Sequence, residues 1–579
     1  MFELDVNAGE VRKAGARIKL QSQPFKVLAL LASRAPQIVT RQEIEHEIWG
    51  DQTHVDFDLG LNYCIKQIRT ALADDAGQPA YIETLPRRGY RFIASVQGEE
   101  RGLPAAGGQR PMLAVLPFGN LTGDPGQEYF ADGLTEELIA QLGRLNPKRL
   151  GVIAFTSARQ YKDTSKGIDQ IGRELKVHFI LEGSVRRTKD RVRIAAQLIQ
   201  VSDQTHLWAE AYNRTIDDII TIQTEVGERV ANSLAVELLP EHQSALNPTS
   251  TRNSIAYDSY LRGRYYWNKR TEDDFWKSLK YFETAIEQDA SYAPSYVGLA
   301  DVYNVMAFHS GLAPAEARAK SRAALEKAIS IDNRFAEAYA SFAYAKLLYE
   351  WDFAGAEETF RHALELNPNQ VPGHYWYALF LSAMKRPTEA LAHIQTAMQL
   401  DPLSLVSNCH KGWVLYFARR YDDAIQQLLN TIEMDGNFAL ARYFLGLVYL
   451  RSGRFGDALT QFTKAKENSN GHPAALAGLS AAHAFLGTKK ESRKILAALE
   501  RLRSHRYVPP YYLALVHVSL GDAARALDWL EQAFEERSGY LSNMLADPAL
   551  DSLRRDPRFI NLMSRVGLGS SPARSQSTS

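Results

Sequence analysis

The sequence predicts a multidomain, mainly α-helical chain. It combines a three-helix head closed by a hairpin, a small α/β domain, and an α-solenoid of about eight helix pairs. Three observations predict this. At 579 residues the chain is too long for one core, since domains run to about 100–200 residues each. Residues 1–97 set short strand-like runs beside three amphipathic helical runs and end on a tight Arg-Arg-Gly turn. From residue 255 onward a small side chain, nearly always alanine, recurs about every 34 residues.

Charge and cysteine usage narrow the function classes. The 67 Lys and Arg balance 67 Asp and Glu. No global basic field draws the chain to nucleic acid, so any such affinity must come from a local patch. In the head, Glu43, Glu45, Glu47, Asp51, Asp56 and Asp58 offset the cations. Cys64 and Cys409 stand in separate domains and read as buried thiols, neither a disulfide framework nor a metal cluster. No metal-ligand spacing is found among the histidines, and we expect no metal, cofactor or catalytic residue. The first residues, MFELDVNAGE, lack the form of a signal peptide. No run approaches the ~18 apolar residues that a membrane helix needs. The expectation is a cytoplasmic protein with no membrane partner.

The head comes first in chain order. Phe2–Val6 and Arg17–Leu20 read as strands, and 24–34 as a helix with Phe25, Leu28, Leu31 and Ala32 on one face. Thr40-Arg41-Gln42-Glu43 is a capping box that opens a second helix, ending near Trp49-Gly50. On the third helix Leu61, Ile65, Ile68 and Leu72 form an apolar stripe. Its other face carries Asn62, Tyr63, Lys66, Gln67, Arg69 and Thr70. Lys and Arg suit phosphate or guanine, and Asn and Gln suit the paired donor and acceptor of adenine. A merely solvated helix would show the same face. What separates the two readings is the hairpin of 81–84 and 90–96, whose tip is Pro86-Arg87-Arg88-Gly89. Gly89 supplies the positive φ of a tight turn, and paired tip arginines suit phosphates or a narrow minor groove. A groove-entering helix followed by a cationic hairpin is a winged helix-turn-helix arrangement.

The second-helix ending EIWG, the run NYCIKQIRTAL and the hairpin YIETLPRRGYRF resemble the OmpR/PhoB-type winged helix, in the form seen in CadC-like one-component regulators. The resemblance covers nearly all of 1–97. It implies DNA contacts from Lys66, Gln67 and Arg69 on the recognition helix and from Arg87 and Arg88 on the wing, with Arg91 behind them. Thr40 and Arg41 are expected at the DNA backbone. Pro86 stands where many response regulators carry a single Arg, so the wing contact is expected to be to phosphate. With no receiver domain before the head and no membrane helix after it, neither phosphorelay nor transmembrane control is expected.

Residues 98–110 read as a linker. The α/β domain spans 111–239. MLAVLPF reads as a buried strand, Gly133–Leu145 as a helix, and LGVIAFTSA and FILEGSVRRTKDRVRIAAQLIQV as further strands with Lys189-Asp190 in the turn. LPFGNLTGDPGQEYFADGLTEELIAQL resembles the TolB N-terminal-like domain. Asp124, Glu128, Asp132, Glu136 and Glu137 suit a helix N-terminus rather than a metal site. The basic hairpin of Arg186, Arg187, Lys189, Arg191 and Arg193 reads as an exposed turn, with an auxiliary DNA contact as the alternative.

A second linker, 240–254, leads to the repeats of 255–566. Ala285, Ala328, Ala363, Ala397, Thr431, Ala465, Ala498 and Ala533 are spaced by 43, 35, 34, 34, 34, 33 and 35. The long first step implies an insertion near His309–Ala315. The array resembles tetratricopeptide proteins, with ADPALDSLRRDPRFINLMSRVGL as its closing helix and 567–579 as a disordered tail. Tyr257, Tyr260, Tyr265, Tyr266 and Trp267 read as packing between helices, with a recognition surface as the alternative. The chain as a whole reads as a sequence-specific, one-component transcriptional regulator and not an enzyme. Its expected partners are double-stranded DNA, a protein on the repeats with RNA polymerase one candidate, and a second copy of itself in a homodimer. The alternative is an interaction scaffold whose winged helix serves protein contacts.

Overall fold

The computed structural model describes residues 2–5, 10–13, 16–18, 20–48, 57–85, 88–94, 110–188, 191–215, 218–234, 251, 253–306 and 312–569. They divide into two units, Met1–Pro104 and Ala105–Ser579.

The first unit opens with an antiparallel meander of β1 (Phe2–Asp5), β2 (Glu10–Lys13) and β3 (Ala16–Ile18). Helix α1 (Ser22–Ser33) follows, then β4 (Ile38–Thr40), α2 (Arg41–Ile48), α3 (Phe57–Leu72) and the strands β5 (Ile82–Leu85) and β6 (Gly89–Phe92). The apolar stripe of α3 is buried as its period demands: Leu61, Ile65, Ile68 and Leu72 join Phe25, Leu28, Leu31 and Ile44 in one core. Each such side chain contributes roughly 1.5–3 kcal/mol. The capping box is closed in both directions. The Glu43 amide donates to Thr40 Oγ1 (3.2 Å), and the Thr40 amide and hydroxyl donate to the Glu43 carboxylate (both 2.7 Å). These bonds, with Arg34 nearby, hold Glu43 below the usual carboxylate range.

Two strands go beyond the sequence reading. β2 carries one buried side chain, Val11, among charged ones, so it shows little alternation. β4, three residues long, pairs with β6, so the wing is a three-stranded sheet of order β4-β6-β5. Gly89 has φ +147°, and a Cβ there would collide with the Val39 carbonyl. The wing's glycine is therefore fixed by β4 as well as by the turn.

The second unit contains a sheet of order β12-β11-β10-β7-β9 with β8 beside β10. Its members are β7 (Met112–Val115), β8 (Gly119–Asn120), β9 (Gly151–Val152), β10 (Phe179–Thr188), β11 (Arg191–Gln200) and β12 (His206–Thr215). Helices α4 (Glu128–Leu145), α5 (Phe155–Ala158), α6 (Ile168–Leu175) and α7 (Ile219–Ser233) complete the α/β part. Only the start of LGVIAFTSA is a strand, because Phe155–Ala158 turns into α5. Lys189-Asp190 lies outside the described residues.

The repeats form sixteen described helices in eight antiparallel pairs, from α8 (Ser254–Lys269) and α9 (Glu272–Gln288) to α22 (Pro510–Leu520) and α23 (Ala523–Glu535). The recurring alanines Ala285, Ala328, Ala363, Ala397 and Ala533 are fully buried, whereas Ala498 is exposed and its neighbour Leu499 takes the buried place in that repeat, one residue later than the sequence spacing put it. Phe282, Phe360 and Phe462 fill the core beside them. The region 307–311 of the expected insertion and the tail 570–579 lie outside the described residues, as does most of both expected linkers.

Repeats that touch only their neighbours would make a quasi-one-dimensional array. Two features here break that picture. The α/β part lies along the first four pairs. Gly133 on α4 approaches α8 so closely that a Cβ would sit 2.8 Å from Leu261 Cδ2. Farther on, Asn369 Nδ2 donates to the carbonyls of Gly143 and Leu150 (both 2.9 Å), and the Ala154 amide donates to Leu400 (2.8 Å). The closing segment, with α24 (Pro557–Val566), also returns to the middle of the array. Buried Asp547 accepts from Tyr511 (2.6 Å) and Tyr416 (3.3 Å), and Arg419 pairs with Asp551 at 2.6 Å.

Candidate nucleic-acid interface

Helix α3 and the wing enclose an open concavity of about 550 Å³ in the first unit, lined by Arg41, Asn62, Lys66, Thr70, Thr84 and Tyr90 among others. Its geometry is fixed by two polar locks. At one end Arg41 Nη2 donates to Asn62 Oδ1 (3.2 Å) and to the Tyr90 hydroxyl (3.1 Å), and Tyr90 donates to the same Asn62 oxygen (3.2 Å). This ties the start of α2, the recognition helix and the wing into one triangle. At the other end the buried Asp74 carboxylate accepts the backbone amides of Ala80, Tyr81 and Ile82 at 2.7, 3.0 and 2.9 Å. That lock sets the angle at which the wing leaves α3.

The sequence-chosen residues divide by what they touch. Lys66 and Thr70 are exposed on the concave side, Gln67 is half-buried, and Tyr63 is 48% exposed with its hydroxyl 3.5 Å from Gln21 Oε1. The Thr70 hydroxyl donates back to the Lys66 carbonyl (2.9 Å). Arg88 is exposed at the wing tip. Arg87 lies outside the described residues.

Four others are engaged within the domain. Arg69 turns onto β5, donating to the Ile82 carbonyl (3.0 Å) and Thr84 Oγ1 (2.8 Å) with Asp74 at 3.9 Å. Arg91 pairs across the wing with Glu83 at 3.4 Å. Asn62 spends its oxygen on Arg41 and Tyr90, and Thr40 spends its hydroxyl on the capping box. Asp74 and Tyr90, which shape the face, were not singled out from sequence. Their signal is tertiary: each matters through partners on another element.

Two of the five carboxylates singled out in the α/β part stand at a helix start. Asp124 accepts the Gly126 amide (2.8 Å) in the turn that leads into α4, and Glu128 stands in the first turn of α4. The other three are paired farther along. Asp132 binds Lys162 at 2.6 Å, and Glu136 binds Arg264 and Asn268 of α8. Glu137 accepts from Tyr260 (3.0 Å), and burial pushes its carboxyl up. Asp258 is held low: burial opposes ionisation, but bonds from Tyr129, Arg187 and Arg262 outweigh it. Of the aromatic group, Tyr257, Tyr260 and Trp267 are buried as packing residues. Arg187 of the basic hairpin is consumed by Asp258, whereas Arg186, Arg191 and Arg193 are exposed.

Residues 15–92 match the family described as transcriptional regulatory protein, C terminal. The first unit is an OmpR/PhoB-type winged helix. Behind this winged helix, residues 109–229 match the HilA/YgeH-like transcriptional regulator, second domain, and 410–473 match the tetratricopeptide repeat. The chain is 25% identical over 427 residues to the transcriptional regulator HilA of Salmonella typhimurium (strain LT2), covering 72% of this chain and 73% of that one. It is 31% identical over 356 residues to putative adenylate cyclase 3 of Rhizobium meliloti (strain 1021), covering 60% of this chain and 51% of that one. The match thus spans about half the length of the cyclase. Among solved structures, YrrB, a TPR protein with an unusual peptide-binding site, matches 34% of this chain and 95% of its own at 24% identity, with a TM-score of 0.23. No helix among the described residues is long and apolar enough to cross a membrane.

Proposed function

We propose that this chain is a sequence-specific, DNA-binding transcriptional regulator whose winged helix reads a promoter site. The observation that carries the reading is the braced concavity between α3 and the wing, with Lys66 exposed in its lining and Arg88 exposed at the wing turn. Lys66, Gln67, Tyr63 and Thr70 face the base edges of a major groove. Arg88, together with Arg87, meets phosphate. Arg41, at the start of α2, meets the DNA backbone. Arg69, Asn62 and Arg91 hold the reading surface in place, and Thr40 caps α2. Contacts to phosphate fix register, and contacts to bases supply sequence preference.

The α/β part and the repeats serve partner recognition and assembly. RNA polymerase and a second copy of the chain are the partners we favour. We assign no catalytic step to the chain. A footprint on genomic fragments upstream of its own gene tests the reading. The expected result is a protected site at moderate salt that is lost with Lys66→Ala. Equal affinity for all fragments, unchanged in that variant, would sink the proposal.

A further inference from the structure

The outer edge of β12 has no strand partner among the described residues. β12 ends the sheet and pairs on one side only, with β11. It is ten residues long, HLWAEAYNRT, and all its side chains except Trp208 and Tyr212 are exposed. Natural edge strands are shielded by short length, charged side chains (lysine above all), proline, β-bulges or a covering element. The charges of β12, Glu210 and Arg214, are turned onto α7. β12 has neither lysine nor proline, and its one irregularity, opposite Leu198/Ile199, lies at its first residues. Its inward face is settled on α7, with Tyr212 buried and the pairs Glu210–Arg229 at 3.5 Å and Arg214–Glu225 at 3.1 Å. The other face carries Ala209, Ala211, Asn213 and Thr215, which are small enough to leave the strand's approach open.

We propose that β12 pairs antiparallel with β12 of a second copy, joining two sheets into one across a two-fold axis. The charges on the strand choose the register. A two-fold normal to the sheet keeps every side chain on its own face, so opposed residues share parity. Centring the axis on Glu210 opposes the two Glu210 carboxylates. Centring it on Ala211 sets Glu210 against Tyr212. Centring it on Tyr212 sets Glu210 of each copy against Arg214 of the other, twice by symmetry, with Ala211 against Asn213 and Ala209 against Thr215. Opposite charges across an antiparallel pair stabilise it, and like charges directly opposed destabilise it. The Tyr212 register also leaves out the irregular start of β12. Main-chain bonds supply the affinity of such an edge, and the doubled ion pair supplies its specificity. The dimer carries two winged helices, so a weak single reader gains avidity on a two-part site. The inference deepens the proposed assembly but rests on the second unit alone, so its failure and that of the DNA reading are separable.

The test is sedimentation of the full chain over a concentration series without DNA. A dimer is expected, weakened about ten-fold or more by Glu210→Arg and by Arg214→Glu, and restored in the double reversal. Were these residues needed only for Arg229 and Glu225, the double variant would be worse than either single one. A wild-type chain that stays monomeric at every concentration up to about 100 µM, or a dimer indifferent to both single reversals, overturns the proposal. If a variant fails to fold, amide exchange of the wild type decides. The β12 amides 209–215 should be protected at high concentration and exchange faster on dilution, and exchange independent of concentration overturns the pairing.

Discussion

On α3, Lys66 stands exposed and makes no ion pair among the described residues. On α4, Glu136 is only 16% exposed and is gripped by Arg264 and Asn268. Both lie on amphipathic helices, and both could be written off from sequence as solvated charge. The difference shows what a charged helix face is for. Where the protein answers its own charges, as between α4 and α8, removing one leaves a desolvated partner and the fold suffers. Where it leaves them unanswered beside a braced concavity, removing one should leave the fold intact and weaken the binding of an outside ligand.

That contrast can be broken or sharpened at five points. The largest effect belongs to Glu136→Ala, which strands Arg264. Urea denaturation should show a loss of about 3 kcal/mol, and a loss under about 1 kcal/mol would make this contact no different from an exposed pair. Next is Asp401, whose carboxyl accepts from Ser157 of the α/β part and is pushed up by burial to about 6. The unfolded group titrates near 4, so its favourable contribution is complete below about pH 4 and is lost as pH rises through 6. Asp401→Asn should therefore exceed the wild type in stability by roughly 2 kcal/mol at pH 8, with the gap closing by pH 4. Denaturation curves at the two pH values check it.

Lys66→Ala should cost about 1–3 kcal/mol of DNA binding while shifting stability by less than about 0.5 kcal/mol. Gel shifts and melting of the same sample read both. Arg69→Ala should do the reverse, losing about 1–2 kcal/mol of local stability, seen as faster amide exchange in α3 and β5, with an unchanged salt slope of DNA binding. Arg88→Ala is the smallest. It should weaken all DNA sequences alike by less than about 1 kcal/mol and lower the salt slope by about one.

Lys66 and Arg69 also mark how far the sequence can be read. They lie one turn apart and are both cationic, so spacing alone gives them one role. The wing's placement separates them, because Thr84 and Ile82 capture only the second. The α3 stripe, the capping box at Thr40–Glu43 and the repeated alanines other than Ala498 were legible because local period and chemistry dictate them; at Ala498 a leucine one residue on holds the buried position. β4 is too short to show a period. β12, exposed along most of its length, lacks the alternation that marks a half-buried strand. The bond from Arg264 to Glu136 joins residues 128 apart in sequence, and nothing local announces it.

The closing segment bears on the order in which the chain is made. Tyr416, Arg419 and Tyr511 are synthesised before Asp547 and Asp551, the carboxylates that receive them. A chain emerging N-terminus first can stack its helix pairs one by one, yet the middle of the array keeps unanswered donors until the last described residues arrive. A product halted after Ala523–Glu535 would present eight finished pairs and still display an unfinished surface at the centre, open to proteases. Completion of the array is in this way registered at its middle.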